Sequence, residues 1–139
     1  MSDIELIDSN RLGRPVGHYS HAVSVGGLLF LSGQLPITPE GRKLTGEPFE
    51  TQTRQVLDNL TEVLAACGCR PDDLIQVRVY LCNIDCWPSF NRLYAAWLGD
   101  HRPARCVVPT PVLHYNLDLE VEAVARISAN GPAEPRSVP

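Results

Sequence analysis

Short stretches of this chain alternate apolar and polar residues with a period of two, and two longer stretches repeat with a helical period. The first ordered segment is expected at Ala22–Leu35. Val23 and Val25 alternate with polar neighbours, Gly26-Gly27 supplies a tight turn, and Leu28–Leu31 forms a short apolar strand. Ser32-Gly33-Gln34 breaks that run with small residues, which lets another group approach the backbone closely. Pro36–Pro48 mixes prolines, glycines and charges and reads as a surface loop. Val56, Leu57, Leu60, Val63, Leu64 and Cys67 then recur at helical spacing, and Gly68 is placed to end that helix. A strand follows, with Ile75, Val77, Val79 and Leu81 alternating with Gln76, Arg78 and Tyr80. A second helix is predicted after Asp85, with Pro88 in its first turn and Phe90, Leu93, Tyr94, Trp97 and Leu98 as its buried stripe. Ala104–Val108 reads as a strand ended by Pro109 and Pro111. Asp118–Ile127 reads as the last one, with Leu119, Val121, Ala123, Ala125 and Ile127 on one face.

The resulting order, β-β-α-β-α-β-β, predicts an α+β fold with a mixed sheet and both helices on one side of it. The opposite sheet face then needs a partner, and oligomerisation is expected. One domain is expected over residues 13–128. Residues 1–12 form an N-terminal extension, and residues 129–139, which carry three prolines and no period, form a disordered tail.

Composition narrows the function classes. At 139 residues the chain has the length of a single domain and needs no disulfide or metal staple. A hydrophobic share of 44% excludes a disordered chain. Twelve Lys and Arg against 16 Asp and Glu give net charge −4, which argues against a nucleic-acid surface. No apolar run is long enough for a membrane span. Residues 1–10 lack the pattern of a secretory signal, so a cytoplasmic protein is expected. The five cysteines (67, 69, 82, 86 and 106) are an odd number and form no Cys-x-x-Cys motif. Free thiols in a reducing compartment follow.

Few residues suggest chemistry on their own. Glu120 and Glu122 are two apart on a strand and share a side of the sheet. They lie either at a solvated edge or in a polar site that handles a water or a proton. Arg105 opens a strand. It is either a surface charge or a clamp for a carboxylate, a task that its planar fork of donors suits. His18 and His21 flank Tyr19-Ser20 without a third metal ligand nearby, and no nucleophile elbow surrounds Ser20. No phosphate loop or dinucleotide fingerprint is present.

Several segments, taken in order, carry a resemblance. They are His18-Tyr19-Ser20-His21-Ala22-Val23, Leu31-Ser32-Gly33-Gln34-Leu35-Pro36, Gln52-Thr53 with Asn59-Leu60, and Val77–Leu81. They continue with Phe90-Asn91-Arg92-Leu93-Tyr94, Pro103-Ala104-Arg105 and Leu119-Glu120-Val121-Glu122-Ala123-Val124-Ala125. Over roughly residues 13–127 the chain resembles the Rid family, the reactive intermediate deaminases also called YjgF/L-PSP. The resemblance implies a chorismate-mutase-like α+β fold and a homotrimer with active sites between subunits. It also implies hydrolysis of enamine or imine intermediates such as 2-aminoacrylate to a keto acid and ammonia, without cofactor or metal.

Carried over by position, Arg105 would hold the substrate carboxylate, Glu120 would handle water and protons, and Tyr19 would close the cleft. Ser32, Gly33 and Asn91 would line the substrate, together with Cys106 and Val107. The chain departs from the common pattern near that cleft. Cys106 follows Arg105 directly and Val107 stands at the family's cysteine. His18 and His21 replace a proline and a glutamine, and the segment His114-Tyr115-Asn116 is unusual. These departures point to a different or larger substrate. The alternatives are a trimer that binds a small carboxylate or regulates without catalysis, and a specialised biosynthetic member acting on another enamine-like compound. Endoribonuclease activity, attributed to some relatives, is disfavoured by the charge.

Overall fold

A computed structural model describes residues 3–127. The expected disordered tail at 129–139 lies outside the described residues. The elements are β1 (Glu5–Ile7), β2 (Ala22–Val25), β3 (Leu28–Gln34), α1 (Phe49–Ala66), β4 (Leu74–Leu81), α2 (Trp87–Leu98), β5 (Ala104–Pro109) and β6 (Leu119–Arg126). The strands form one sheet in the order β1-β2-β3-β6-β4-β5. Only β4 and β5 pair in parallel; the other neighbours are antiparallel. The sheet is therefore mixed, as expected. No helix is long and apolar enough to cross a membrane among the described residues.

The sequence signals translate into local structure through ordinary backbone chemistry. Gly26 and Gly27 both take positive φ (57° and 82°), which a two-residue hairpin turn between twisted strands requires. Gly68 (φ 71°) ends α1, where the Cys69 N–H returns to the Leu64 carbonyl at 2.9 Å. Val56, Leu60, Val63 and Leu64 of α1 and Phe90, Tyr94 and Leu98 of α2 pack on Leu29, Leu31, Val77, Val79, Leu119, Val121, Ala123 and Ala125. Each fully buried Leu or Phe stabilises the fold by roughly 1.5–3 kcal/mol. Both helices lie on that face. On the other, Phe30, Leu28 and Val108 stay 44%, 38% and 39% exposed.

Three local expectations are corrected. The N-terminal stretch contributes a strand, because Glu5–Ile7 pairs with β2; at three residues with no buried side chain, it carries no readable period. In β2 the buried positions are Ala22 and Ser24, so Val23 and Val25 face the open side. In β4 a bulge between Leu74 and Gln76 turns Ile75 outward (43% exposed) and gives its core position to Leu74.

Buried polar side chains fix the loops around this core. The Gln52 amide donates to the Glu47 carbonyl and to Asp118 Oδ2, and its oxygen accepts the Asp118 N–H at 2.9 Å. The Asn59 amide donates to the carbonyls of Leu35 (3.2 Å) and Ile37 (2.9 Å), which pins the segment after β3 onto α1. Replacing Asn59 by Leu strands the Ile37 carbonyl and leaves the Leu35 carbonyl only its bond from the Ile37 N–H (2.7 Å). We expect a loss on the order of 2 kcal/mol in unfolding free energy by denaturant titration. A change below about 0.5 kcal/mol would show that the pin is not structural.

Candidate active site

The site is built around β6, the strand between β3 and β4. Its odd-numbered residues enter the core, so Glu120 and Glu122 emerge together on the open face. Tyr80 and Arg78 of β4 lie opposite them. The Tyr80 hydroxyl donates to Glu122 Oε2 at 2.6 Å, and Arg78 Nη1 is 3.9 Å from Glu122 Oε1. Glu122 is therefore occupied. Glu120 accepts no hydrogen bond and makes no ion pair among the described residues. Burial pushes its carboxyl above the usual glutamate range; nearby His114 opposes that shift and Glu122 adds to it.

Gly33 makes room for this carboxylate. The β3–β6 register breaks between Leu31 and Gln34, so Ser32 and Gly33 leave the ladder. A Cβ added to Gly33 would lie 2.5 Å from Glu120 Oε2. The requirement is space and not unusual backbone torsion. Ser32 anchors the next loop. Its hydroxyl donates to the Ser20 carbonyl at 2.6 Å and its N–H to the His21 carbonyl at 3.0 Å. Tyr19 stands on the rim, 47% exposed. Tyr19, Ser32, Gly33, Glu120 and Glu122 line a depression of about 590 Å³, together with His114 and Tyr115.

His114–Asn116 forms one turn of 3-10 helix with strained backbone. Tyr115 and Asn116 both have positive φ (59° and 57°), a region that bulky side chains avoid. Outside contacts hold the turn. Thr45 Oγ1 donates to the Tyr115 carbonyl at 2.8 Å, and Lys43 Nζ lies 4.6 Å from the Tyr115 ring centroid.

A second cluster forms on the helix side of the sheet. Arg105 pairs with Val77, a core residue, and so points towards α2. Its Nη1 donates to Asn91 Oδ1 at 2.8 Å, and its guanidinium lies over the rings of Tyr94 (5.0 Å) and Trp87 (5.9 Å). Val107 shares this side, half-buried against the core, whereas Cys106 is exposed on the opposite side beside Arg78. The structure thus brings Tyr19, Ser32, Gly33 and Glu120 together, and separately Arg105, Asn91 and Val107. One chain does not join the two groups.

The histidines before β2 differ in setting. His18 is exposed, whereas His21 is buried and its Nδ1 accepts the Ser9 N–H at 2.9 Å. Neither Tyr80 nor the aromatic rings over Arg105 stand out from the sequence pattern as parts of a site. For Tyr80 the signal was present, since it and Arg78 alternate on a strand able to face the Glu120–Glu122 pair. Among the cysteines, Cys67 is buried and its thiol is pushed up to about 12 by that burial, with smaller contributions from Cys69 and Glu5.

A mixed sheet with helices on one face, a free half-buried carboxylate and a separate arginine–asparagine pair define a small α+β protein with a polar depression on its open sheet face. A family profile described as Endoribonuclease L-PSP matches residues 9–127. A RutC family protein of Pyrococcus horikoshii is 36% identical over 121 residues, covering 87% of this chain and 96% of that one. Reactive Intermediate Deaminase A of Arabidopsis thaliana is 31% identical, covering 88% of this chain and 66% of that one. The crystal structure of Escherichia coli TdcF with bound serine superposes with a TM-score of 0.83 at 27% identity, covering 89% and 99% of the two chains. The chain belongs to the Rid family.

Two outcomes test the geometry around Glu120. A raised carboxyl binds its proton more tightly in the folded than in the unfolded chain. It therefore lowers stability as pH rises from the unfolded glutamate range through the raised folded value. Glu120→Gln should raise the melting temperature at neutral pH and flatten its fall across that window. An unchanged profile would mean that the carboxyl is not desolvated. Gly33→Ala should displace the Glu120 side chain, visible as a changed carboxyl chemical shift in its titration by NMR. A shift identical to wild type would show that the close approach does not exist.

Proposed function

We propose that this protein hydrolyses an enamine or imine intermediate to a keto acid and ammonia. The observation that carries this reading is the free, half-buried Glu120 carboxylate beside Gly33, with a raised pKa and room in front of it. An enamine tautomerises to an imine, whose carbon is already electrophilic. The reaction then needs a positioned water, a group that moves protons and a grip on the substrate. A carboxylate whose pKa has moved towards neutrality is suited to the proton work. Tyr19 on the rim closes over the substrate, and Ser32 and Gly33 form the floor. The names of two relatives are consistent with this: one is a reactive intermediate deaminase, and one was crystallised with serine, a small amino acid.

Arg105 grips the substrate carboxylate in this reading. Only its bond to Asn91 is made among the described residues, which leaves other donors of its fork for two parallel bonds to an anion. It lies across the sheet from Glu120, so we infer that the site is completed by a second copy. A homotrimer, with the Glu120 side of one subunit facing the Arg105 side of the next, supplies three such sites. A ring of this kind uses two different surfaces on each subunit. It also covers the open sheet face, where Phe30 and Leu28 are exposed. RNA cleavage, which the family description names, suits the depression less well. Two carboxylates in a chain of net charge −4 repel a phosphate backbone.

The experiment generates 2-aminoacrylate or a larger imino acid in situ and follows keto-acid release. Arg105→Ala and Glu120→Gln should each lower turnover by about a hundredfold or more. Co-assembled in equal amounts, the two inactive variants should regain activity at about one site in four, because each complete site takes its arginine and its glutamate from different copies. No rescue would overturn the shared site. Wild-type rates at background for every imine tried would overturn the deaminase reading.

A further inference from the structure

Hydrolysis of an imine moves protons at two places, the attacking water and the departing nitrogen. Glu120 is one group able to do this. The depression in front of it contains a second titratable side chain, at a position held there against backbone cost. His114 lines the same depression as Glu120, Gly33 and Tyr19. It sits where the chain passes from β5 to β6, in the turn whose next two residues, Tyr115 and Asn116, both occupy the left-handed region. For Tyr115 this is a backbone that bulky side chains avoid, whereas asparagine enters it more readily. A glycine at 115 would remove the strain. The turn is braced from outside by Thr45 and Lys43 acting on Tyr115, and from within by the Leu117 N–H bonded to the His114 carbonyl at 3.2 Å. The imidazole itself is exposed and makes no hydrogen bond among the described residues; its ring packs on Tyr115, with centroids 6.0 Å apart.

We infer that His114 is a second proton-transfer residue of the proposed deaminase site, paired with Glu120 and acting at the substrate nitrogen. This rests on the deaminase reading above. Histidine is the side chain suited to give and take a proton between about pH 5 and 8. The other groups around it do not compete for the task. Glu122 is held by Tyr80 and Arg78, Asp118 by Gln52, and Lys43 by the Tyr115 ring, and Tyr19 lies on the rim. His114, on the approach to β6, and Glu120, the second residue of that strand, line the one depression and face the same substrate space.

The chemistry balances with these two groups. The water oxygen bonds to the imine carbon and gives a proton to the Glu120 carboxylate. The π pair of the C=N bond moves to nitrogen, which takes a proton from the His114 imidazolium. In the carbinolamine that results, the nitrogen takes the proton from Glu120 and leaves with the C–N pair as ammonia. The hydroxyl oxygen gives its proton to His114 as the C=O bond forms. The site returns to carboxylate and imidazolium, with one water consumed and one ammonia released.

The test measures kcat and KM against pH for wild type, His114→Gln and His114→Ala, with an imino acid generated in situ. Both variants should lose at least about tenfold in kcat with KM little changed. The alkaline limb of the wild-type profile should disappear, and added free imidazole should restore turnover to His114→Ala. A wild-type kcat and alkaline limb in His114→Gln would overturn the inference and leave the deaminase reading standing. A loss of rate in both variants with the pH profile unchanged and no rescue by imidazole would also overturn it, because a merely structural residue behaves that way. Absence of turnover by the wild-type protein on any imine would remove the deaminase reading and this inference together.

Discussion

The alternation of side chains along β6 is the constraint on which the rest depends. The strand has neighbours on both sides, so its backbone is fixed by two ladders. Leu119, Val121, Ala123 and Ala125 are committed to the core under both helices. A slip of one residue would put those four in water and bury Glu120, Glu122 and Arg126, at a cost no small domain survives. The apolar face of β6 therefore aims the carboxylates, although it never touches them. Tyr80 and Arg78, aimed by the same logic on β4, then take up Glu122 and leave Glu120 free.

The elements that were legible in the sequence are those whose burial imposes a period. Both helices, the hairpin at Gly26-Gly27 and the last strand follow from periodicity and turn residues alone. What stayed hidden is what local pattern does not encode. β1 is held by its pairing with β2 and by bonds at Asp8 and Ser9, not by an apolar face. Val23 and Val25 have the composition of a buried face. They lie on the open one because Ala22 and Ser24 are small enough to sit under the helices. The bulge that expels Ile75 depends on the register with β6, a partner fifty residues away. The same division holds for the site. Glu120 and Arg105 attract notice as charges in apolar strands, but only the pairing shows that they occupy opposite faces.

Around the candidate site, stability is given up in small amounts for space and direction. Gly33 leaves empty the Cβ position against Glu120, and the ladder is broken beside it. Glu120 carries the cost of partial burial without a partner. Tyr115 and Asn116 hold unfavourable torsions. Each is a local departure from what the sheet alone would favour, and they converge on one depression. Departures of this kind persist where the surrounding structure over-determines them, and here the surroundings are identifiable. Gln52 and Asn59 fix the flanking segments onto α1, while Thr45 and Lys43 brace the turn.

Arg105 shows the same economy on the other face. A guanidinium at the surface usually relies on water and is free to move. This one lies over the rings of Tyr94 and Trp87, with Asn91 taking one donor. Tyr94 is itself fixed in the core beside Phe90. The aromatic faces attract the cation without using its hydrogen-bonding edge. In the proposed role of gripping a carboxylate, the arginine would be oriented before the ligand arrives and would lose less side-chain entropy on binding. An edge fixed in this way favours a planar anion such as a carboxylate over a diffuse one. If a second copy completes the site, the subunit arrangement also sets how far that carboxylate stands from Glu120. Substrate length would then be read at the interface between chains, not within either half of the site.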